Sequence, residues 1–277
     1  MSPRSWGVSE TGEALESRLL NERFYGAGLR FCLERVGSLE GKRVLEIGCG
    51  TGDLSALLAS RGARVVGIDL CEAHLARARL QSARLGVADT CEFIHGNAED
   101  FPLSDRSLDV VISKSTLQYM DRGRVLERCI RALAPDGALA LNENLPGNPF
   151  IRVSRGLRSA RARLGRDVDY ARSIRGYLSP EEIRWLGGRF VRVEHREAHL
   201  ARVLVSPRRT FPASRFGRRV DVAAEHLDDA ILARVPRASA WAWLTGLVAQ
   251  GPLHASSPSP VDRGAQFANC IGRAPNH

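Results

Sequence analysis

Three glycines at alternate positions carry the clearest chemical signal in this 277-residue sequence. Gly48, Gly50 and Gly52 follow the short apolar segment 42–47, and Asp69 ends the next apolar segment. Glycine adopts backbone conformations with positive φ and lets a ligand approach the main chain closely. A carboxylate that ends the following strand can accept two hydrogen bonds from a ribose diol. These residues therefore predict a turn that binds a nucleoside.

The spacing of this turn separates two kinds of nucleoside ligand. A dinucleotide site has the spacing G-x-G-x-x-G and places the pyrophosphate at a helix N-terminus. Here the spacing is G-x-G-x-G, and Glu46 lies two residues before the first glycine. A carboxylate there would repel a pyrophosphate but suits a cation, so the sequence favours a positively charged nucleoside such as S-adenosylmethionine. A tight turn that binds no ligand is the alternative.

A glycine turn of this kind needs a strand before it and a helix after it, and the hydrophobic pattern predicts both. Strands are predicted over 42–47, 64–68, 91–95, 108–113, 138–142, 190–194 and 241–249. Helices are predicted over 53–61, 72–85, 122–133 and 219–235, with one or two more within 12–37 and a turn at 135–137. The alternation indicates an α/β fold with a doubly wound, mostly parallel sheet.

Four segments resemble class I S-adenosylmethionine-dependent methyltransferases, and they occur in that family's order and spacing. They are residues 44–52, 67–70, 96–103 and 133–137. The similarity covers about residues 40–145. It implies a Rossmann-like sheet of seven strands with the last strand antiparallel, S-adenosylmethionine as the cofactor, and methyl transfer as the reaction.

The resemblance also implies where the methionine part of the cofactor lies. Gly48, Gly50 and Gly52 would line it. Glu46 would sit near its ammonium group or hold the glycine loop. Ser113, which ends the fourth strand, would lie beside the transferable methyl group.

For the adenosine part, the resemblance implies roles for four further residues. Asp69 would bind the ribose hydroxyls, and Leu70 would pack on adenine. Ala98 would offer its backbone N–H to the ring. Asn97 stands where the family commonly has an aspartate that accepts from the adenine amino group, and an amide oxygen can accept as well.

No residue stands out as the general base that a hydroxyl acceptor would need. Many small-molecule relatives carry histidine shortly after strand four, but residues 116–120 contain none. Glu143 after strand five and His195 after strand six are the candidate catalytic residues, with His199 beside the latter. A hydrogen-bonded loop carboxylate and structural histidines are the alternatives. No two cysteines have C-x-x-C spacing, and no metal site is predicted.

The net charge of +9 comes almost entirely from arginine, and residues 151–176 hold eight arginines. The function predicted first is methyl transfer to a small apolar or anionic acceptor, at an oxygen atom of a bacterial specialised metabolite, with methylation at nitrogen or carbon equally open. An RNA or ribosome methyltransferase that uses the arginines of 152–175 is one alternative. The same arginines also suit contact with an acidic membrane surface. A non-catalytic protein that binds the cofactor is the third possibility.

The domain organisation follows from these patterns. Residues 1–40 are expected to form an N-terminal helical lid, and 41–251 a methyltransferase domain with helical insertions at 146–178 and 200–238. Residues 252–277, rich in proline, serine and glycine, are expected to be a disordered tail. No apolar run approaches the roughly 20 residues that cross a bilayer. With no signal-peptide core in residues 1–12, a cytoplasmic location is expected.

Overall fold

Seven strands form one sheet in the order β3-β2-β1-β4-β5-β7-β6 in the computed structural model, which describes residues 11–163, 174–204 and 215–254. The strands are β1 Arg43–Ile47, β2 Arg64–Asp69, β3 Cys91–His95, β4 Leu108–Lys114, β5 Leu133–Asn144, β6 Phe190–Ala198 and β7 Leu244–Pro252. The first five are parallel, whereas β7 runs antiparallel to both β5 and β6. The predicted Rossmann-like sheet with its last strand antiparallel is therefore confirmed.

Helices cover both faces of this sheet. They are α1 Gly12–Leu20, α2 Gly26–Val36, α3 Asp53–Ser60, α4 Glu72–Arg84, α5 Arg122–Ala132, α6 Pro149–Arg163, α7 Pro180–Gly187 and α8 Arg215–Arg234. Because successive strand residues point to opposite faces, Val44 packs with α1, α2 and α3 while Leu45 packs with α5. The sheet thus separates two apolar layers. Its carboxyl edge, the edge at which the parallel strands end, lies between these layers. No helix among the described residues is long and apolar enough to cross a membrane.

The N-terminal helices differ from the expected lid over residues 1–40. Leu15 of α1 and Leu29 of α2 are fully buried in the layer that also holds Val44. Both helices are therefore part of the helical layer on one face of the sheet. Of the described residues in this region, the connecting segment 22–25 reaches the ends of β4 and β5, as its contacts below show.

Strand β5 is longer than predicted, and the turn predicted at 135–137 lies inside it. Leu133 pairs with Leu108, and Ala138 pairs with Val110, so the register shifts between these two pairs. The extra residues of β5 are accommodated as a bulge, which bends a strand without ending it. Strand β7 also begins later than expected, because residues up to Trp241 form a 3₁₀ turn.

The predicted insertions and tail are described only in part. Helix α6 lies in the 146–178 insertion, and α8 lies in the 200–238 insertion. Residues 164–173 and 205–214 are outside the described residues. Pro252, predicted as the start of the tail, ends β7, and 255–277 lie outside the described residues.

Candidate functional site

The glycine turn after β1 has the left-handed backbone that its sequence requires. Gly48, Gly50 and Gly52 have φ of +68°, +54° and +77°. A Cβ on Gly48 would collide with the Thr116 side chain, and one on Gly52 would lie 2.6 Å from the Ala78 Cβ. A Cβ on Gly50 would meet no atom within 4 Å. The turn is therefore packed at its two ends and open at its middle residue.

Glu46 lies behind this turn rather than in the open space. Its side chain is buried, and its Oε2 accepts a hydrogen bond from Ser55 Oγ in α3. Burial raises the pKa of Glu46 to about 7. Of the two roles expected for Glu46, this placement matches holding the glycine loop, because Ser55 belongs to the helix that the loop opens.

Asp69 connects the glycine turn with the turn after β2. Its Oδ2 accepts from the Gly50 N–H at 2.9 Å, and its Oδ1 accepts from the Cys71 N–H at 2.9 Å. Each carboxylate oxygen has a further lone pair with which it can accept from a ribose hydroxyl. Next to it, the Leu70 side chain is 68% exposed, which leaves its apolar surface free to pack on a ring.

The turn after β3 holds the other residues expected at adenine. Asn97 Oδ1 accepts from the Glu99 N–H at 3.0 Å, so the amide oxygen already stabilises its own turn. Ala98 is partly buried against the core. His95, which the sequence analysis did not single out, donates from Nε2 to the Leu70 carbonyl oxygen at 3.0 Å. This bond ties together the turns after β2 and β3.

Ser113 and Glu143 are brought together, but both are inside the protein. Ser113 Oγ donates to Glu143 Oε1 at 2.7 Å, and both residues are at most 1% exposed. The same Oε1 accepts from the N–H groups of Thr116 at 3.1 Å and Leu117 at 3.4 Å. Burial raises the pKa of Glu143 to about 7. Glu143 therefore fixes the turn after β4, and the structure does not present Ser113 to a ligand.

The placement predicted for His195 is wrong. His195 lies within β6, where it pairs in register with Leu247. This edge strand is separated from β4 by β5 and β7. The ring donates from Nδ1 to Glu197 at 2.6 Å, and this bond raises the pKa of His195. Alternation within β6 continues to Ala198, so His195 precedes the carboxyl edge instead of following it.

His199 does lie at the carboxyl edge, in a structural role. It is 2% exposed, and its Nε2 donates to the Phe24 carbonyl oxygen at 2.7 Å. Burial lowers the pKa of His199, so the ring is held in its neutral form. Its contact is with the connecting segment 22–25.

A cluster of neutral polar side chains lies at the ends of β4 and β5. The Tyr25 hydroxyl is 2.8 Å from Ser115 Oγ and donates to Asn144 Oδ1 at 3.2 Å. The Asn144 amide nitrogen donates to Ser115 Oγ at 3.3 Å and to Gln118 Oε1 at 3.0 Å. The sequence pattern did not predict this cluster. The one local signal for it was the run of polar residues Asn142, Glu143 and Asn144 at the end of an apolar strand.

The connecting segment 22–25 is held over this edge by every one of its residues. The Phe24 carbonyl oxygen accepts from His199, and the Tyr25 carbonyl oxygen accepts from the Asn142 amide at 2.8 Å. Glu22 forms an ion pair with Lys114, and Arg23 forms one with Asp221. The segment therefore joins β4, β5, α8 and the turn after β6.

The arginine-rich segment offers fewer free charges than its composition indicates. The Arg155 guanidinium stacks 4.3 Å above the centre of the Tyr177 ring, and Tyr177 is buried against Trp243. Arg175 pairs with Glu99 at 2.9 Å. Arg166 and Arg172 lie outside the described residues. Two of the eight arginines, Arg155 and Arg175, therefore contact other residues of the chain.

Known proteins that are similar to this chain include several methyltransferases. Residues 45–141 match a family model described as "Methyltransferase domain". A ubiquinone biosynthesis O-methyltransferase from Pseudomonas aeruginosa (strain UCBPP-PA14) is 43% identical over 112 residues, 39% of this chain and 47% of that protein. A demethylmenaquinone methyltransferase from Clavibacter sepedonicus is 36% identical over 119 residues, 42% of this chain and 47% of that protein. The chain thus matches about half the length of these curated relatives.

A solved structure extends the comparison to most of the fold. Geranyl diphosphate C-methyltransferase from Streptomyces coelicolor A3(2) aligns with a TM-score of 0.56 over 90% of this chain and 89% of that chain, at 17% identity. At this identity the alignment shows the shared fold alone. The match over residues 45–141, the sheet order and the glycine turn together support a class I S-adenosylmethionine-dependent methyltransferase domain in this chain.

Proposed function

We propose that this protein binds S-adenosylmethionine at the glycine turn and transfers its methyl group to an oxygen atom of a small molecule. The observation that carries the proposal is the contact of Asp69 with the Gly50 N–H beside the open side of the turn. It fixes a carboxylate next to a main-chain position where, among the described residues, an added Cβ would meet no atom within 4 Å. Such a pair suits a ribose diol and the methionine part of one cofactor.

The residues present fit this cofactor. Asp69 would accept from the ribose hydroxyls, Leu70 would pack on adenine, and the space at Gly50 would receive the methionine part. Asn97 and Ala98 in the turn after β3 would border the adenine ring. S-adenosylmethionine supplies an electrophilic methyl group. The chain would hold that group in line with the acceptor atom, and such positioning can lower a barrier by several kcal/mol.

Two observations support an oxygen acceptor of small size. One curated relative is named an O-methyltransferase, and the side chains next to the turn include the hydroxyls of Tyr25 and Ser115. Arginine in place of lysine, with abundant alanine and glycine, is typical of a GC-rich bacterial genome. We therefore propose a metabolite of a bacterial biosynthetic pathway as the acceptor.

The experiment incubates pure protein with methyl-labelled S-adenosylmethionine and host lysate. The label is then divided among an organic extract, RNase-sensitive polymer and protein. Label in the organic extract is the expected result, and mass spectrometry of that fraction identifies the acceptor. Label that RNase releases would replace the proposal with an RNA methyltransferase. Binding of S-adenosylhomocysteine without label in any fraction would favour a non-catalytic role.

A further inference from the structure

Tyr25, Ser115 and Asn144 form a closed ring of hydrogen bonds. Tyr25 donates to Asn144 Oδ1, and Asn144 Nδ2 donates to Ser115 Oγ. The Ser115 hydroxyl then donates to the Tyr25 oxygen across 2.8 Å, which closes the ring. A hydroxyl hydrogen rotates to suit its partner. Both hydroxyls can therefore leave the ring and donate to a ligand without any movement of the backbone.

The ring lies next to the glycine turn. Ser115 follows β4, which pairs with β1 so that Ser113 faces Ile47. The Thr116 hydroxyl lies 3.4 Å from the Gly48 carbonyl oxygen, and the two loops are in van der Waals contact there. In doubly wound sheets, ligands bind where the strand order reverses, here between β1 and β4. A methyl group held at the turn would therefore face the end of β4.

The ring has a buried side and an accessible side. Asn144 is 3% exposed and Gln118 is 6% exposed, whereas the Tyr25 and Ser115 side chains are only partly buried. The amides thus lie underneath and hold the two hydroxyls toward the surface. Such an arrangement orients the donors, because each hydroxyl is bonded to the buried Asn144 amide.

The backbone at Ser115 is strained. Its φ is +57°, a left-handed conformation that is unfavourable for a non-glycine residue. Residues in such conformations concentrate at ligand sites, where the surrounding structure maintains them. The Ser115 N–H donates to the Asn142 carbonyl oxygen at 3.0 Å, which holds the side chain beside Tyr25.

In the part of the chain that the structure describes, Glu143, Glu22 and Lys114, the charged groups near the ring, have partners. Glu143 Oε1 accepts three hydrogen bonds, and Glu22 pairs with Lys114, whose ammonium lies over the Tyr25 ring. Burial raises the pKa of Tyr25, so its phenol stays protonated and acts as a donor. The ring therefore offers neutral donors, and a hydrogen bond to an anion is roughly twice as strong as one between neutral groups.

We propose that Tyr25 and Ser115 bind the acceptor oxygen, and that the acceptor is an oxygen acid that binds already ionised, as a carboxylate or a phenolate. This inference rests on the proposed function. The acceptor oxyanion attacks the methyl carbon, the O–C bond forms as the C–S bond breaks, and the sulfur takes the electron pair. No proton is transferred, so the step needs no general base. Tyr25 and Ser115 orient the oxyanion through their O–H groups.

The test compares Tyr25→Phe with wild type in the labelled lysate assay. The variant keeps the aromatic ring of residue 25, over which the Lys114 ammonium lies, and loses only the hydroxyl. A hydrogen bond to a charged group contributes about 1.5–3 kcal/mol, so kcat/KM for the identified acceptor is expected to fall about 10- to 100-fold. Binding of S-adenosylhomocysteine, measured by calorimetry, is expected to be unchanged. Wild-type kcat/KM in Tyr25→Phe, or weakened S-adenosylhomocysteine binding, would overturn the assignment.

Two serines at opposite ends of β4 provide the matched control. Ser115→Ala is expected to lower kcat/KM as Tyr25→Phe does, and Ser115→Gly is the second variant because glycine tolerates the φ of +57°. Ser107 precedes β4 and donates to the Ser104 carbonyl oxygen at 2.7 Å. Ser107→Ala is expected to turn over like wild type. Equal losses in the Ser107 and Ser115 variants would show a stability effect and overturn the assignment.

The labelled product separates the two acceptor classes. Mild alkali releases labelled methanol from a methyl ester, which would identify a carboxylate acceptor. Label that resists alkali and lies on an aromatic oxygen by mass spectrometry would identify a phenolate. A methyl group on nitrogen or carbon would overturn the acceptor class. If wild type labels no fraction, the proposed function fails, and the acceptor site fails with it.

Discussion

The two halves of the carboxyl edge are built from different kinds of group. On the β1–β2 side, the Asp69 carboxylate bonds to main-chain N–H groups and joins the two turns of the site within residues 46–71. On the β4–β5 side, the hydroxyls of Tyr25 and Ser115 bond to other side chains, and the polar cluster brings together segments far apart in the sequence, 22–25, 115–118 and 142–144. The first half depends on backbone conformation, and the second depends on tertiary packing.

This difference determines how each half responds to mutation. Changes on the β1–β2 side alter backbone strain and the surface that would contact the cofactor. Loss of the Tyr25 or Ser115 hydroxyl on the β4–β5 side removes hydrogen bonds between side chains and leaves the main-chain hydrogen bonds of the turn in place. We therefore expect the first half to govern cofactor affinity and the second to govern acceptor turnover.

The largest effect is expected from Gly48→Ala. At φ of +68° a non-glycine residue costs about 1–2 kcal/mol, and the new Cβ also collides with Thr116. Overpacking of this kind adds about 1–3 kcal/mol. Urea denaturation should show a loss of about 3 kcal/mol in the free energy of unfolding.

Gly50→Ala and Gly86→Ala separate strain from ligand contact. Both glycines have positive φ, and a Cβ on either meets no atom within 4 Å. Each variant should lose only about 1–2 kcal/mol of stability. Only Gly50→Ala should weaken S-adenosylhomocysteine binding, because Gly86 lies after α4, away from the turn. If the two variants bind S-adenosylhomocysteine with equal affinity, the cofactor does not occupy the space at Gly50.

A second large effect is expected for the pH dependence of stability at Glu143. Burial raises the pKa of Glu143 from 4.5 to about 7 in the folded protein. The folded state therefore binds a proton more tightly, and this stabilisation is complete below pH 4.5 and lost as the pH rises through about 7. Because a pKa difference of one corresponds to about 1.4 kcal/mol, the whole loss is on the order of 3 kcal/mol.

Glu143→Gln resembles the protonated side chain and should avoid this loss. Its oxygen can still accept from Ser113, Thr116 and Leu117. The free energy of unfolding of the variant relative to wild type should rise between pH 4.5 and 7 and then stay level. Glu46, whose pKa burial also raises to about 7, contributes equally to both proteins and cancels. A difference in the free energy of unfolding that is constant with pH would show that Glu143 ionises at its usual pKa. Loss of turnover in Glu143→Gln would support a catalytic role for Glu143.

The same contrast explains what the sequence could predict. The glycine turn and Asp69 lie within one strand–turn–helix–strand unit, so local spacing was enough to find them. Tyr25 and Ser115 are 90 positions apart, and no periodicity connects them. His195 was misplaced because β6 continues to Ala198, and the end of a strand depends on pairing with β7 that the sequence does not display. Likewise, the bulge at 135–137 has the composition of a turn.

A smaller effect, on affinity rather than folding, is expected from Asp69→Ala. The substitution removes the oxygen that holds the Gly50 N–H and the acceptor for the ribose diol. Hydrogen bonds to a charged group contribute about 1.5–3 kcal/mol, so calorimetry should show S-adenosylhomocysteine binding weakened about 10- to 100-fold. Asp89→Ala, in an exposed turn before β3, is the control and should bind normally. An unchanged dissociation constant for Asp69→Ala would remove Asp69 from the cofactor site.

The smallest effect is expected from Glu22→Gln, which tests whether the connecting segment acts mainly on turnover. Glu22 pairs with Lys114 at 2.5 Å, and the side chains are 38% and 21% exposed, respectively. An ion pair this accessible to solvent contributes at most about 1 kcal/mol to the free energy of unfolding. Glu16→Gln is the matched control, because Glu16 pairs with Arg61 at 2.6 Å and similar exposure between α1 and α3. Both variants should lose similar small amounts of stability, and less in high salt. Only Glu22→Gln should lower turnover, since Glu22 lies three residues from Tyr25. Equal turnover in the two variants would mean that the other contacts of residues 22–25 position Tyr25 without the ion pair.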